Sequence, residues 1–441
     1  MSLPFPEHPL RRAITAELHA RTFEPVRAPA QVAHLAYLSG QRGSGLNERH
    51  LLRLLEHFGV STPPELGEQF FVDVGGLRLR WERHTEFVTY SFSREGAFEH
   101  PFCDDLLAEI PRDWLRELPG EVVTAALLAL EAREAPERDI GELTELFEGN
   151  SIVGSRVAGG AAIAWSDMRG HVDGFGRILV RDLSLSGAQA GRLIKRMLDV
   201  NAYRAMALLG LPAARKAAIT LTKAEQRLAD VARRMAAGNE QLNVMRRTNA
   251  PPPERALLAE LSALAAEVES LAAQTATRFD ASEAYYQVIR QRLEQMREQR
   301  IQGLQMFCEF LDARLAPGVA TCLAAAQRQQ HLAERAARVT ALLRARVELQ
   351  LQEQNRGLLD SMDRRAKLQL RLQETVEGLS VVAISYYGLG LVGYVLGGMA
   401  AAGWPIDPSL GNALAVPLVL GAAWFGLQRA KRRLLRDTDH A

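Results

Sequence analysis

Two uncharged runs near the C-terminal end limit what this chain can become. Residues 379–402 contain no Asp, Glu, Lys, Arg or His, and the run is about the twenty residues that a helix needs to cross the hydrocarbon core of a bilayer. Residues 408–428 form a second uncharged run of similar length, with Pro417 inside it. Helices of soluble cores seldom stay uncharged for so long. Between the runs stand Gly403, Trp404, Pro405, Ile406 and Asp407, which combine helix breakers with residues suited to an interface. The pattern predicts a transmembrane hairpin. Arg364, Arg365, Lys367 and Arg371 precede it, Arg429, Lys431, Arg432, Arg433 and Arg436 follow it, and the turn has no basic residue. Positive-inside counting puts both flanks, and with them both termini, in the cytoplasm of a multi-pass inner-membrane protein.

The remaining chain is long enough for more than one domain. Its 53 basic and 52 acidic residues nearly cancel, which argues against a nucleic-acid binder. Three cysteines, Cys103, Cys308 and Cys322, show no close pairing pattern and fit a reducing compartment. Residues 1–9 lack the basic patch and apolar core of a secretory signal, so no cleaved signal peptide is expected.

Residues 1–183 read as a mixed α/β domain. A short helix is expected over 13–21, then a strand over 31–38 and a helix over 46–58. A hairpin at 69–74 and 77–82 turns on Gly75 and Gly76. Further strands are expected at 85–93, 121–130, 151–157, 161–166 and 175–180. Helices do not alternate with strands throughout, so antiparallel meanders are favoured over a doubly wound sheet. Ser184 or Ser186 caps a helix running toward Leu209.

Residues 184–378 read as long helices. One arm covers 220–238, and a break over 239–253, which contains Pro251, Pro252 and Pro253, precedes a second. Leu257, Leu261, Leu264, Val268 and Leu271 alternate in steps of four and three, an a/d seam. Pro317 and Gly318 are expected to divide the following helices, and nothing interrupts a helix from 320 to 379. Helix 379–402, turn 403–409, helix 410–428 and basic tail 429–441 complete the order.

Chemical motifs are sparse. His84 and His100 lie near acidic residues but in no metal-ligand spacing. No nucleophile elbow, phosphate loop or zinc-protease motif occurs, so no enzyme is expected. Gly388, Gly390 and Gly393 match a dinucleotide fingerprint, yet no strand precedes them. Gly393 and Gly397 instead form a small-residue surface for helix packing in lipid.

The whole chain resembles a bacterial family of unknown function whose members are labelled predicted membrane-anchored proteins. The likeness rests on His8-Pro9-Leu10-Arg11, Glu17-Leu18-His19-Ala20-Arg21 and Ser385-Tyr386-Tyr387-Gly388-Leu389. It brings no activity with it. The order of parts also resembles the CorA-type magnesium channel superfamily, and 379–384 is similar to the opening of that superfamily's pore helix. Gly398 and Met399 stand where its Gly-Met-Asn signature falls, but Ala400 replaces the Asn that helps bind a hydrated cation.

The expected fold is therefore an α+β cytoplasmic domain, long antiparallel or coiled-coil helices and a two-helix transmembrane hairpin of CorA-like architecture. The CorA resemblance implies a homo-oligomeric cation channel. Ser380, Ser385 and Tyr386 would line its pore, with Gly398, Met399 and Asp407 at the external turn. The transported species would be a divalent cation, and no other cofactor is expected. The alternative is a membrane-tethered scaffold whose α/β domain recruits a protein partner.

Overall fold

The computed structural model describes residues 8–11, 14–15, 23–40, 44–62, 66–102, 105–245, 253–402 and 407–438. Apart from Ile14 and Thr15, which are helical, the expected helix over 13–21 lies outside the described residues, as do 246–252 of the expected break, 403–406 of the expected turn and the side chains of the basic tail from Lys431 onward. Over 239–245 the expected break is corrected, because the helix there continues to Met245. The chain forms two compact units, residues 1–340 and 341–441.

The first unit is built on a nine-stranded sheet: β1 (Ala30–Leu38), β2 (Gln69–Val74), β3 (Leu77–Arg83), β4 (Phe87–Glu95), β5 (Glu121–Glu131), β6 (Val153–Val157), β7 (Ala162–Gly170), β8 (Gly176–Asp182) and β9 (Gln299–Arg300). The spatial order is β2-β3-β4-β1-β5-β8-β7-β6-β9. β1 lies inside the sheet, between β4 and β5, and can be buried on both faces. Its sequence AQVAHLAYL is buried at every position but the last, the near-continuous apolar pattern of a two-sided strand. Gly75 and Gly76, at φ 56° and 84°, make the β2–β3 turn, where two left-handed residues match the strand twist. Pairing is antiparallel as the meander pattern predicts, with one exception: β5 runs parallel to β8.

Short helices α1 (Ser44–His57), α2 (Asp105–Ala108) and α3 (Arg112–Arg116) belong to the part of the chain that covers one face, where Tyr37, Leu51, Leu55, Trp81, Tyr90 and Trp114 form a core. Beside it, α4 (Ile140–Leu146) contributes Leu143 to a smaller cluster with Phe147, Trp165 and Leu179. The opposite face is covered by α5 (Gly187–Leu208), α7 (Pro253–Met296) and the first turns of α8 (Phe307–Ala401). Val32, Leu128, Leu193, Met197, Ile289 and Leu311 share this core. Ser186 caps α5 in a reciprocal box with Gln189, which satisfies two of the free donors at the helix start.

The expected boundary at 183 therefore separates elements that pack together. The helices following the sheet complete its core, and β9 adds to its edge beside β6. α6 (Gly210–Met245) runs antiparallel to α7, tied by Arg234 to Glu260 at 2.5 Å and by Arg227 to Glu267 at 2.6 Å. Leu257, Leu261, Leu264 and Val268 of the expected seam are buried.

The expected break at Pro317 and Gly318 is corrected: α8 runs through both. Leu311, Leu315 and Val319 are buried in the sheet core, and that burial offsets the ~3 kcal/mol that an interior proline costs. Gly318 admits Leu208, whose Cδ2 lies 3.0 Å from the position of an added Cβ. The chain turns instead between Arg297, at φ 48°, and Gly303, at φ 87°.

In the second unit, α9 (Pro408–Thr438) packs against the end of α8. An added Cβ would meet Val419 at Gly388 (2.9 Å), Asn412 at Gly393 (3.3 Å) and Leu396 at Gly411 (2.8 Å). Small residues thus let these two helices approach closely. Their other faces leave large apolar side chains open, including Leu379 (71% exposed), Tyr394 (84%) and Leu418 (73%).

Candidate ligand cleft

The described residues of the first unit include a cleft of about 630 Å³ bounded by α5, α7 and the junction of β3 with β4. Helical spacing explains what α5 brings to it. Arg192, Lys195, Arg196, Asp199 and Tyr203 recur at steps of three and four, so they share one side of a helix whose other side is core. α7 adds Tyr285 and Arg292, and the β3–β4 junction adds Glu82 and His84.

The cleft floor is a chain of ion pairs. Lys195 Nζ lies 3.0 Å from Glu82 Oε2 and 2.6 Å from Asp199 Oδ1. Arg80 reaches the other oxygen of Glu82 at 2.8 Å, and Arg292 Nε reaches Asp199 Oδ2 at 3.1 Å. Burial pushes the Glu82 carboxyl up, but Lys195 and Arg80 outweigh it and hold the group down at about 2. Such a pair is not a strong source of stability, since desolvation consumes much of the Coulomb gain. Its effect is to lock the side chains in place.

His34 on β1 sits under this network. Its Nδ1 is 2.8 Å from Ser91 Oγ, and Nε2 finds no hydrogen-bond partner among the described residues. Burial, more than any neighbouring charge, lowers it to about 4, so the ring is neutral at pH 7.

Above the floor is an aromatic wall. His84 stacks on Phe87 with centroids 4.1 Å apart, and Tyr203 meets both edge-on. Tyr285 lies 5.5 Å from Tyr203 at an interplanar angle of 32°. Its hydroxyl donates to Glu86 at 2.8 Å, and Arg278 pairs with the same carboxylate. Burial and the Glu86 carboxylate together raise the Tyr285 phenol.

A second cleft, of about 640 Å³, is lined in part by Asp167 and Arg204. The Asp167 carboxylate accepts from Asn150 at 2.9 Å, and His171 Nε2 is 2.9 Å away. Arg204 donates to the Met168 carbonyl and to Asn201 Oδ1. The bond from Arg204 to the Met168 carbonyl ties α5 to β7.

Of the two histidines singled out from sequence, His84 enters the first cleft, where Tyr203 Oη is 3.4 Å from its Nδ1. His100 is exposed, and its carbonyl accepts from Gln31. No cluster of metal-binding side chains occurs among the described residues. The α5 residues were visible in sequence only as a charged helix face, which ordinarily means solvent. Nothing local indicated that the β3–β4 junction and α7 would close over it.

The residues predicted from the apolar runs fall in the second unit. Ser380 Oγ donates back to the Val376 carbonyl at 2.8 Å. Ser385 is 3% exposed and its hydroxyl has no hydrogen-bond partner among the described residues, whereas Tyr386 is 75% exposed. Gly393 faces Asn412, while no atom of the described residues lies within 4 Å of a Cβ added at Gly397 or Gly398. Met399 lies in the last turn of α8, where its carbonyl and that of Gly398 accept from the Ala402 amide. Asp407 caps α9: its Oδ1 accepts from the Ser409 amide at 2.9 Å and from the Ser409 hydroxyl at 2.6 Å. Those hydrogen bonds lower its carboxyl.

Comparison with known families finds one model matching residues 6–434, described as Protein of unknown function (DUF3422). No curated protein matches the chain.

Proposed function

The chain belongs to this family of unknown function, and from that premise we propose a membrane-tethered module. Its two C-terminal apolar helices hold it at the bilayer, and its α/β unit serves in the cytoplasm as a binding and recruitment platform. One observation carries this reading. Two helical windows are long and apolar enough to cross a membrane, yet only 11% of the first and none of the second is buried in the protein. A core helix of a soluble protein would hide such a window. A helix in lipid satisfies its backbone internally and leaves its side chains to the acyl chains. The basic residues flanking both runs favour a cytoplasmic location for the α/β unit.

A second reading, the homo-oligomeric cation channel, draws on Ser385. A polar group held without a partner inside an apolar hairpin is a functional candidate in a membrane. The tether reading is favoured because Ser385 faces the interior of its own hairpin and Tyr386 alone among the three lining candidates is well exposed.

Alkaline carbonate extraction of membranes tests the tether. The full-length protein is expected in the pellet, and recovery in the supernatant sinks the reading. Purified protein in liposomes is expected to pass no divalent cation, and a protein-dependent magnesium flux would favour the channel.

A further inference from the structure

The α5–α7 cleft has two ends of different chemistry. At one end Arg192 and Arg196, a turn apart on α5, meet Arg292 from α7. Asp199 is already engaged by Lys195 and Arg292. Among the described residues, neither Arg192 nor Arg196 has a carboxylate within salt-bridge distance. Arg192 lies over the Phe23 ring at 4.7 Å, and Arg196 donates to the Gln295 carbonyl at 3.3 Å. Arg196 is pushed down by burial and then by Arg292, Arg192 and Arg297. Like charges crowded in a partly buried site repel one another, and an anion placed among them relieves that repulsion. Guanidinium forks pair with phosphate oxygens in two-point hydrogen bonds.

The other end is aromatic. Tyr203 lies on the same helix as the arginines, and the eleven residues from Arg192 correspond to ~16 Å of helix. With Tyr285 it offers a ring surface of the kind on which a flat heterocycle stacks. The cleft volume of about 630 Å³ is in the range of small-molecule sites. A simple anion would use only the arginine end, and an uncharged aromatic would leave the arginines facing one another.

We propose that this cleft binds a nucleotide: a phosphorylated small molecule whose phosphates lie on Arg192, Arg196 and Arg292 and whose ring lies against Tyr203 and Tyr285. The site gives the cytoplasmic unit a ligand of its own and does not depend on how the chain is held at a membrane. The buried Glu82–Lys195–Asp199 network beneath fixes the direction of the α5 side chains, so Lys195 and Asp199 are positioning residues here.

Calorimetric titration of the full-length protein in mild detergent, with ADP, inorganic pyrophosphate and adenosine as probes, tests the assignment. ADP is expected to bind about tenfold more tightly than pyrophosphate, the ring supplying about 1.4 kcal/mol of stacking, and adenosine is expected to bind weakest. An Arg192→Ala, Arg196→Ala double variant should weaken ADP and pyrophosphate by at least about tenfold each. Tyr203→Leu should remove most of the advantage of ADP and leave pyrophosphate unchanged. Thermal melts of each variant establish that it folds, and Arg196→Lys, which keeps the charge, should lose less than the alanine change. Absence of ADP binding at millimolar concentration overturns the proposal. So does ADP binding that survives the double arginine change, or equal affinity for ADP and pyrophosphate in the unaltered protein.

Discussion

His34 and His50 are taken out of water by the fold, and burial holds each neutral among a different set of neighbours. His34 is faced by Ser91, Glu82, Lys195, Asp199 and His84. His50 stacks on Trp114 at 4.1 Å, and its Nε2 is 3.0 Å from the Trp114 carbonyl. A carbonyl only accepts, so Nε2 carries the proton and Nδ1 accepts from the Tyr90 hydroxyl at 3.0 Å. Burial lowers both rings from 6.5 to about 4. The unfolded chain therefore binds protons between those values that the folded chain does not, and stability falls as pH drops from 6.5 toward 4. Glu82 acts in a lower window: its contribution is whole above 4.5 and is lost as pH falls toward about 2. Between pH 7 and pH 5 the two histidines are expected to cost on the order of 2 kcal/mol each. Urea denaturation at the two pH values checks this. The loss should shrink by about half in His34→Gln, and an unchanged loss would show that His34 is not the titrating group.

At the scale of elements, the helices meet through glycines whose missing Cβ is the point. An alanine at Gly210, where α6 begins, would bring its Cβ to 2.4 Å from Ser282 Oγ on α7 and 3.1 Å from Cys322 Sγ on α8. Gly210→Ala should destabilise the protein by about 1–3 kcal/mol through overpacking. Gly45→Ala, in the first turn of α1 where no atom of the described residues lies within 4 Å of an added Cβ, should be neutral or slightly stabilising by comparison. Thermal melts of the two variants separate the effects, and equal melting temperatures would refute the three-helix contact. The elements themselves were largely legible. The hairpin expected at 69–74 and 77–82 is found at Gln69–Val74 and Leu77–Arg83, because apolar alternation and a paired glycine turn are local properties. The loop between α7 and α8 was not legible. Pro317 drew attention away from it, and only Gly303 and a left-handed Arg297 mark where the chain turns.

For the whole molecule, the division after Thr340 leaves the sheet, its covering helices and both clefts in one compact unit. A chain ending at residue 378 lacks both apolar runs and retains that unit. It is expected to stay in the supernatant after ultracentrifugation and to unfold in one cooperative transition followed by circular dichroism. Sedimentation with membranes, or a broad non-cooperative melt, would mean that the apolar helices help to hold the α/β unit together.

Sequence alone determined where the strands of the sheet and most of the long helical stretches lie, that 379–402 and 408–428 are uncharged runs long enough for a bilayer, and that the α/β part precedes the long helices. Each of these follows from side-chain periodicity or from solvation, which act over a few residues. Tertiary structure alone decided that β5 and β8 pair in parallel, that α5, α7 and α8 close the sheet core, and that Arg192, Arg196 and Arg292 share one cleft with Tyr203 and Tyr285. Those outcomes depend on which apolar faces bury one another across more than a hundred residues of chain, and no local pattern carries that choice.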